Sequence, residues 1–209
     1  MRIEIVAFDG MDELDAVLPF EVLSNAALAG ADWDVAMVGV REPGTVVGSH
    51  GLGVQVDGVL GDPEAIIVPG GGWANRAATG TFQQAREGYL PERLRALEPS
   101  CVWIASVCTG AMLLAAAGLT EGRPATTHHL AHQALRESGA EVITDARVVD
   151  DGDLLTCGGV TAGLDLALWI VERELGADLA ANICSEMECE RSGPIWRSEL
   201  TLVEGLRTR

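Results

Sequence analysis

Two short runs without a charged residue, Ala65-Ile66-Ile67-Val68 and Cys101-Val102-Trp103-Ile104-Ala105-Ser106-Val107, limit the folds open to this chain. Each has the length of a strand and lacks the alternation of a half-exposed one. Each stops at an abrupt turn, Pro69-Gly70-Gly71-Gly72 in one case and Cys108-Thr109-Gly110 in the other. Strands apolar on both faces belong inside a parallel sheet that helices cover on both sides. Ligands of such sheets bind beyond the carboxyl ends of the strands, where these two turns would lie.

The rest of the chain fits that frame. Residues 2–8 alternate and are rich in β-branched side chains, then meet the turn pair Asp9-Gly10. Leu14, Val17, Leu18, Val22, Leu23 and Ala26 recur at helical spacing. Further strands are predicted at 33–39, 46–48, 52–56, near 141–149 and at 153–157, with helices at 82–97, 111–117, 128–138, 162–175 and 177–189. Alternation of strands and helices predicts an α/β fold, a doubly wound, mostly parallel sheet sandwiched by helices. No repeat or linker divides the chain, so one domain over residues 1–209 is expected. The segment Arg191-Ser192-Gly193-Pro194-Ile195-Trp196 matches no motif.

Composition removes several functions. The formal charge is −17 and every basic residue is Arg, so the surface repels nucleic acid and anionic lipid. A chain without Lys has no P-loop lysine, and the glycines at 70–72 do not form a dinucleotide fingerprint. No apolar run approaches the roughly 20 residues of a membrane span, and the apolar start is too short for a signal peptide. A cytoplasmic protein acting on a small molecule is expected. Five irregularly spaced cysteines make neither a disulfide framework nor a zinc pattern.

Among those cysteines, Cys108 stands where a buried strand turns into a helix, the layout of a nucleophile elbow. The helix N-terminus predicts a thiol pKa below that of free cysteine, and the Thr109 amide would face negative charge on a substrate. The plainer reading of a buried structural cysteine stays open for Cys108 and is the one adopted for Cys101, Cys157, Cys184 and Cys189. Gly70, Gly71 and Gly72 either offer amides to a polar substrate group or simply form a loop. Asp15, at the start of the first helix, reads as a dipole-favoured surface acid or as a carboxyl turned into the site, with Asp9, Asp12, Glu13 and Glu21 as competitors. His128, His129 and His132 are candidate bases or helix-start residues. Gly158-Gly159-Val160-Thr161-Ala162-Gly163 brings a helix start to the site or allows tight packing.

In chain order, Leu14-Asp15 with Pro19, Ile67-Val68-Pro69-Gly70-Gly71, Ser106-Val107-Cys108-Thr109-Gly110, Ala125-Thr126-Thr127-His128 and Gly158–Gly163 resemble the ThiJ/PfpI superfamily over about residues 2–190. The resemblance implies a flavodoxin-like sandwich, a class I glutamine amidotransferase-like domain that forms a homodimer. It matches Cys108 to the family's elbow cysteine and Asp15 to its site acid, which stands four residues before a proline. It assigns oxyanion amides to Gly71 and Thr109, substrate contacts to Gly70 and Val160, and a place near the site to His128. Thr109 after Cys108 departs from the Cys-His of the protease branch, and Asp15 departs from the Glu of the glyoxalase and deglycase branch. An acid that is Asp, Cys-Thr-Gly at the elbow, and Gly-Gly-x-Thr-Ala-Gly are similar to the isocyanide hydratases, which use no metal or organic cofactor. Regulators that join this domain to an AraC-type DNA-binding module share the elbow, but the chain is too short for that module. An α-oxoaldehyde enzyme and a non-catalytic small-molecule or redox sensor remain the alternatives.

Overall fold

In the computed structural model, which describes residues 1–198, eight strands form one sheet in the spatial order Ile195–Arg197, Val148–Asp150, Leu154–Cys157, Trp103–Ser106, Ala65–Val68, Arg2–Ala7, Asp34–Gly39 and Gly58–Val59. All neighbours are parallel except Val148–Asp150 and Leu154–Cys157. The two fully apolar runs lie side by side at its centre, with Ile66 opposite Ile104 and Val68 opposite Ser106. Every residue of both strands is buried, as their lack of polarity requires. The fold is therefore the expected mostly parallel, flavodoxin-like sandwich. Residues 199–209, the end of the expected domain, lie outside the described residues.

The described residues form seven α-helices: α1 (Glu13–Leu28), α2 (Thr81–Glu87), α3 (Tyr89–Leu97), α4 (Ala111–Ala116), α5 (His132–Glu137), α6 (Ala162–Leu175) and α7 (Ala177–Glu186). The helix expected over 82–97 is two, because Gly88 adopts φ +79° and ends the first. The one expected over 128–138 starts later, after a 3₁₀ turn at His129–Ala131. Among the described residues no helix is long and apolar enough to cross a membrane. The segment that matched no motif supplies the outer strand Ile195–Arg197, parallel to Val148–Asp150. Asp150 is wholly buried there and is satisfied by Trp169 Nε1 at 2.9 Å and by Arg173 from α6.

The centre of the sheet fixes the turn that follows it. Val107 N–H donates to Val68 O at 3.0 Å and Cys108 N–H to Gly158 O at 2.9 Å, so the elbow hangs between its two neighbouring strand ends. Gly110 completes the turn against the backbone: a Cβ there would stand 2.1 Å from Val68 O and 2.9 Å from Pro69 O. The Val68 carbonyl cannot move without losing the Val107 N–H that it accepts. Gly110→Ala is expected to cost about 1–3 kcal/mol by overpacking, read as a lower denaturation midpoint with an unchanged slope; an unchanged midpoint would show that the elbow tolerates the added carbon.

Candidate active site

Cys108 is the first residue after the strand Trp103–Ser106 and Val107 to leave extended geometry, and it does so at φ +55°. A side chain with a Cβ is costly in that region. Three bonds hold it there: Cys108 N–H to Gly158 O, Gly110 N–H to Val107 O at 2.9 Å, and Thr127 Oγ1 donating to Cys108 O at 2.8 Å. The result is a cysteine at the end of a central strand, only 6% exposed.

Three segments meet at the Cys108 sulfur, and a fourth, the turn at 69–72, ties them together. Backbone N–H groups of Val160 and Thr109 donate to it. From α1 comes Asp15, fully buried, whose Oδ2 accepts Gly70 N–H at 2.9 Å. Its other oxygen, Oδ1, has no conventional hydrogen-bond partner, and the neighbouring group able to share a proton with the carboxyl is the Cys108 thiol. Gly70 is a glycine for want of space, since a Cβ there would lie 2.5 Å from Thr109 N. The turn at 69–72 is tied to α1 a second time by Asp12 N–H to Gly70 O at 2.9 Å.

The electrostatics of the pair differ from the expectation for Cys108. Burial lifts the Asp15 carboxyl to about 7; the charge of Asp12 adds to the rise, while Gly70 N–H and the Cys108 thiol offset part of it. Burial likewise pushes the Cys108 thiol up to about 12, reinforced by the charge of Asp15. A thiol below the free value was expected from the helix N-terminus. That helix has only six residues, follows a 3₁₀ turn and begins after Cys108, and desolvation beside a carboxylate outweighs its dipole. The two groups act as one unit that holds a proton between them near neutral pH.

The remaining expected residues fall in three places. Thr109 is beside the sulfur through its amide, but its hydroxyl accepts Gly71 N–H at 2.9 Å. The Gly71 amide assigned to an oxyanion is thus engaged by Thr109, and the Gly70 amide by Asp15. His128 packs its ring against Gly159 and stacks on His129 at 4.3 Å, and its Nδ1 accepts Leu130 N–H at 3.3 Å. Among the described residues no hydrogen bond joins it to Cys108. Burial lowers its pKa, which keeps the imidazole neutral.

His50 was not singled out by its sequence context. It lies in the turn between the short strands Gly44–Val47 and Gly53–Val56, far along the chain from α1. Its Nδ1 lies 2.6 Å from Glu13 Oε2, and its backbone N–H donates to Glu13 Oε1 at 2.8 Å. Burial opposes ionisation of Glu13, yet the His50 and Leu52 hydrogen bonds prevail and hold it at about 2. Glu13 in turn raises the pKa of His50. Together with Asp12, Leu14, Leu52 and Val160 these two residues line a cavity of about 530 Å³. Val160 is common to the cavity wall and to the Cys108 sulfur, while Cys108 and Asp15 themselves do not line the cavity. A larger cleft of about 700 Å³ around Phe8, Asp9 and Arg41 includes neither Cys108 nor Asp15 in its walls. The ligand atoms of Asp12, Glu13 and His50 come within 4.8 Å of one another, but Asp12 caps α1 and Glu13 is bound to His50.

The DJ-1/PfpI family profile matches residues 1–173. The chain is 32% identical over 197 residues to the isonitrile hydratase of Pseudomonas putida, covering 93% of this chain and 81% of that one. It is 30% identical over 192 residues to the HTH-type transcriptional regulator CdhR of Pseudomonas aeruginosa, covering 90% of this chain but 54% of the regulator. The crystal structure of a ThiJ/PfpI family protein from Pseudomonas syringae superposes with a TM-score of 0.74 at 27% identity, over 92% of this chain and 76% of that one.

A buried acid with a raised pKa gives stability a definite pH dependence. Between the ordinary value of 3.8 and about 7 the folded state holds a proton on Asp15 that the unfolded chain releases. Unfolding free energy from this group therefore falls as pH rises through that window, by at most about 1.4 kcal/mol per pH unit. Asp15→Asn is expected to flatten that decline in urea titrations between about pH 4 and 7. An identical slope in the variant would mean that Asp15 titrates normally.

Proposed function

Because the chain belongs to the DJ-1/PfpI family, we propose that it is an isocyanide hydratase, a cysteine-dependent lyase that converts R–N≡C and water to an N-formamide. The observation that carries this reading is the buried Cys108–Asp15 pair, with Asp15 lifted to about 7. An isocyanide is neutral, and its terminal carbon must gain both a nucleophile and a proton. The pair holds one of each, in reach of each other and away from water.

The first step forms a bond from Cys108 sulfur to the terminal carbon, while the pair's proton is delivered through Asp15 to that same carbon. The product is a thioimidate, R–N=CH–S–Cys108. The amides of Thr109 and Val160, which donate to the sulfur, hold it on line. Asp15, now ionised, takes a proton from water as the water oxygen adds to the carbon, and passes that proton to the nitrogen, which becomes N–H. Collapse of the tetrahedral adduct breaks the C–S bond, releases R–NH–CHO and leaves Cys108 and Asp15 with one proton between them. Water, thiol and carboxyl balance every step. The exposed faces of Leu14 and Leu52 at the cavity mouth suit an apolar R group, with the neutral carbon directed past Val160. Family resemblance supports a homodimer as the working form.

Formamide production from a simple aromatic isocyanide tests the reading. Cys108→Ala should fall to the uncatalysed rate, and Asp15→Asn should lose about 10²–10⁴-fold in kcat. In the wild type kcat/KM should rise with pH to a plateau with its midpoint at about 7, as the pair passes from two protons to one. No formamide from the wild type, with Cys108-dependent conversion of methylglyoxal to lactate, would move the assignment to an α-oxoaldehyde enzyme. Tight small-molecule binding without turnover would move it to a sensor.

A further inference from the structure

The end of α7 carries a second pair of reactive side chains that takes no part in the steps above. Cys184 and Cys189 Sγ atoms lie 2.9 Å apart, and Cys184 Sγ donates to Cys189 O at 2.8 Å. Both residues are half-buried free thiols. They meet because of how the helix ends. Glu188 takes φ +50°, its N–H donates to Ser185 O at 3.2 Å, and Cys189 N–H donates to Cys184 O at 2.9 Å. This is the Schellman closure, which sets the residue two beyond the cap against the residue three turn positions before it. An apolar contact usually fills that spot; here two sulfurs do, closer than non-bonded sulfur atoms pack.

The geometry points to Cys184 and Cys189 as a redox-active dithiol, separate from Cys108, that closes to an intramolecular disulfide when a peroxide oxidises it. One backbone hydrogen bond joins the two residues, which keeps their Cα atoms within the range a disulfide spans. Access is open, since both half-buried residues line a cavity of about 720 Å³ with Ala177, Ala181, Glu190 and Arg191. Cys184 is the attacking sulfur, because it accepts the Cys189 S–H, whereas the Cys189 sulfur holds its proton in that bond. Its sulfur attacks one peroxide oxygen, the O–O bond breaks, and sulfenic acid and water form. Cys189 sulfur then displaces the hydroxyl, and its own proton leaves with that oxygen as a second water. Two electrons pass from the two sulfurs to the peroxide. Burial holds the Cys189 thiol at about 11, consistent with its role as the resolving partner, which reacts only after the first oxidation.

The experiment treats the full chain with hydrogen peroxide, alkylates remaining thiols and maps tryptic peptides, in the wild type and in Cys108→Ser to remove the elbow thiol. The expected product is a peptide over residues 174–191 that has lost two hydrogens, resists alkylation, and regains two alkylatable thiols after reduction, in both proteins. Cys184→Ser and Cys189→Ser should each abolish it. The proposal is overturned if both thiols stay alkylatable after Cys101 or Cys108 has oxidised, if each proceeds separately to sulfinic acid, or if the disulfide forms only with Cys108. None of these outcomes depends on the hydratase reading.

Discussion

Asp15 Oδ2 accepts the Gly70 amide at 2.9 Å, and through this bond the first helix, the glycine turn after Ala65–Val68 and the elbow after Trp103–Ser106 become one rigid unit. The bond needs a residue without a side chain at 70, because Thr109 occupies the space a Cβ would take. It also needs the two central strands in register, since Val107 N–H to Val68 O sets how far the elbow projects. Helix, turn and elbow belong to different parts of the chain, and only the parallel sheet brings their ends together. The reactive pair is thus a product of sheet topology rather than of any local motif.

Two acids two residues apart in α1 show how environment assigns roles. Glu13 accepts hydrogen bonds from the His50 ring, the His50 backbone and Leu52, and is held at about 2. Asp15 accepts one amide, is fully buried and rises to about 7. The first is a fixed negative charge in the wall of the cavity. The second can give and take a proton near neutral pH, which is what a general acid and base requires. The same desolvation raises the Cys108 thiol, so in the proposed mechanism the sulfur becomes nucleophilic by passing its proton to Asp15 rather than through the dipole of α4.

Residues 65–68 and 103–106 were readable as central strands because burial on both faces leaves a continuous apolar run. The elbow at Cys108 was readable because that run stops at once, whereas Asp15 stood out from Asp9, Asp12, Glu13 and Glu21 only through the family resemblance, which places its acid four residues before a proline. What the sequence hid was set by three-dimensional neighbours. The Gly71 amide is captured by a hydroxyl 38 positions away, and His50 reaches Glu13 across 37 positions. A thiol pKa argued from a helix start alone omits the buried carboxyl beside it. The Cys184–Cys189 contact spans five positions, a spacing that falls on no single helical face and arises only because Glu188 turns the chain back.

Covalent catalysis at Cys108 is tested most directly by acid-quenching the protein during turnover of an aromatic isocyanide and weighing its peptides. The expected result is the full mass of the isocyanide on the peptide that carries Cys108, formed more slowly in Asp15→Asn, which lacks the proton relay to the carbon. Formamide release with no adduct on Cys108 in either protein, or an adduct on another residue that turns over at the same rate, would contradict the thioimidate route.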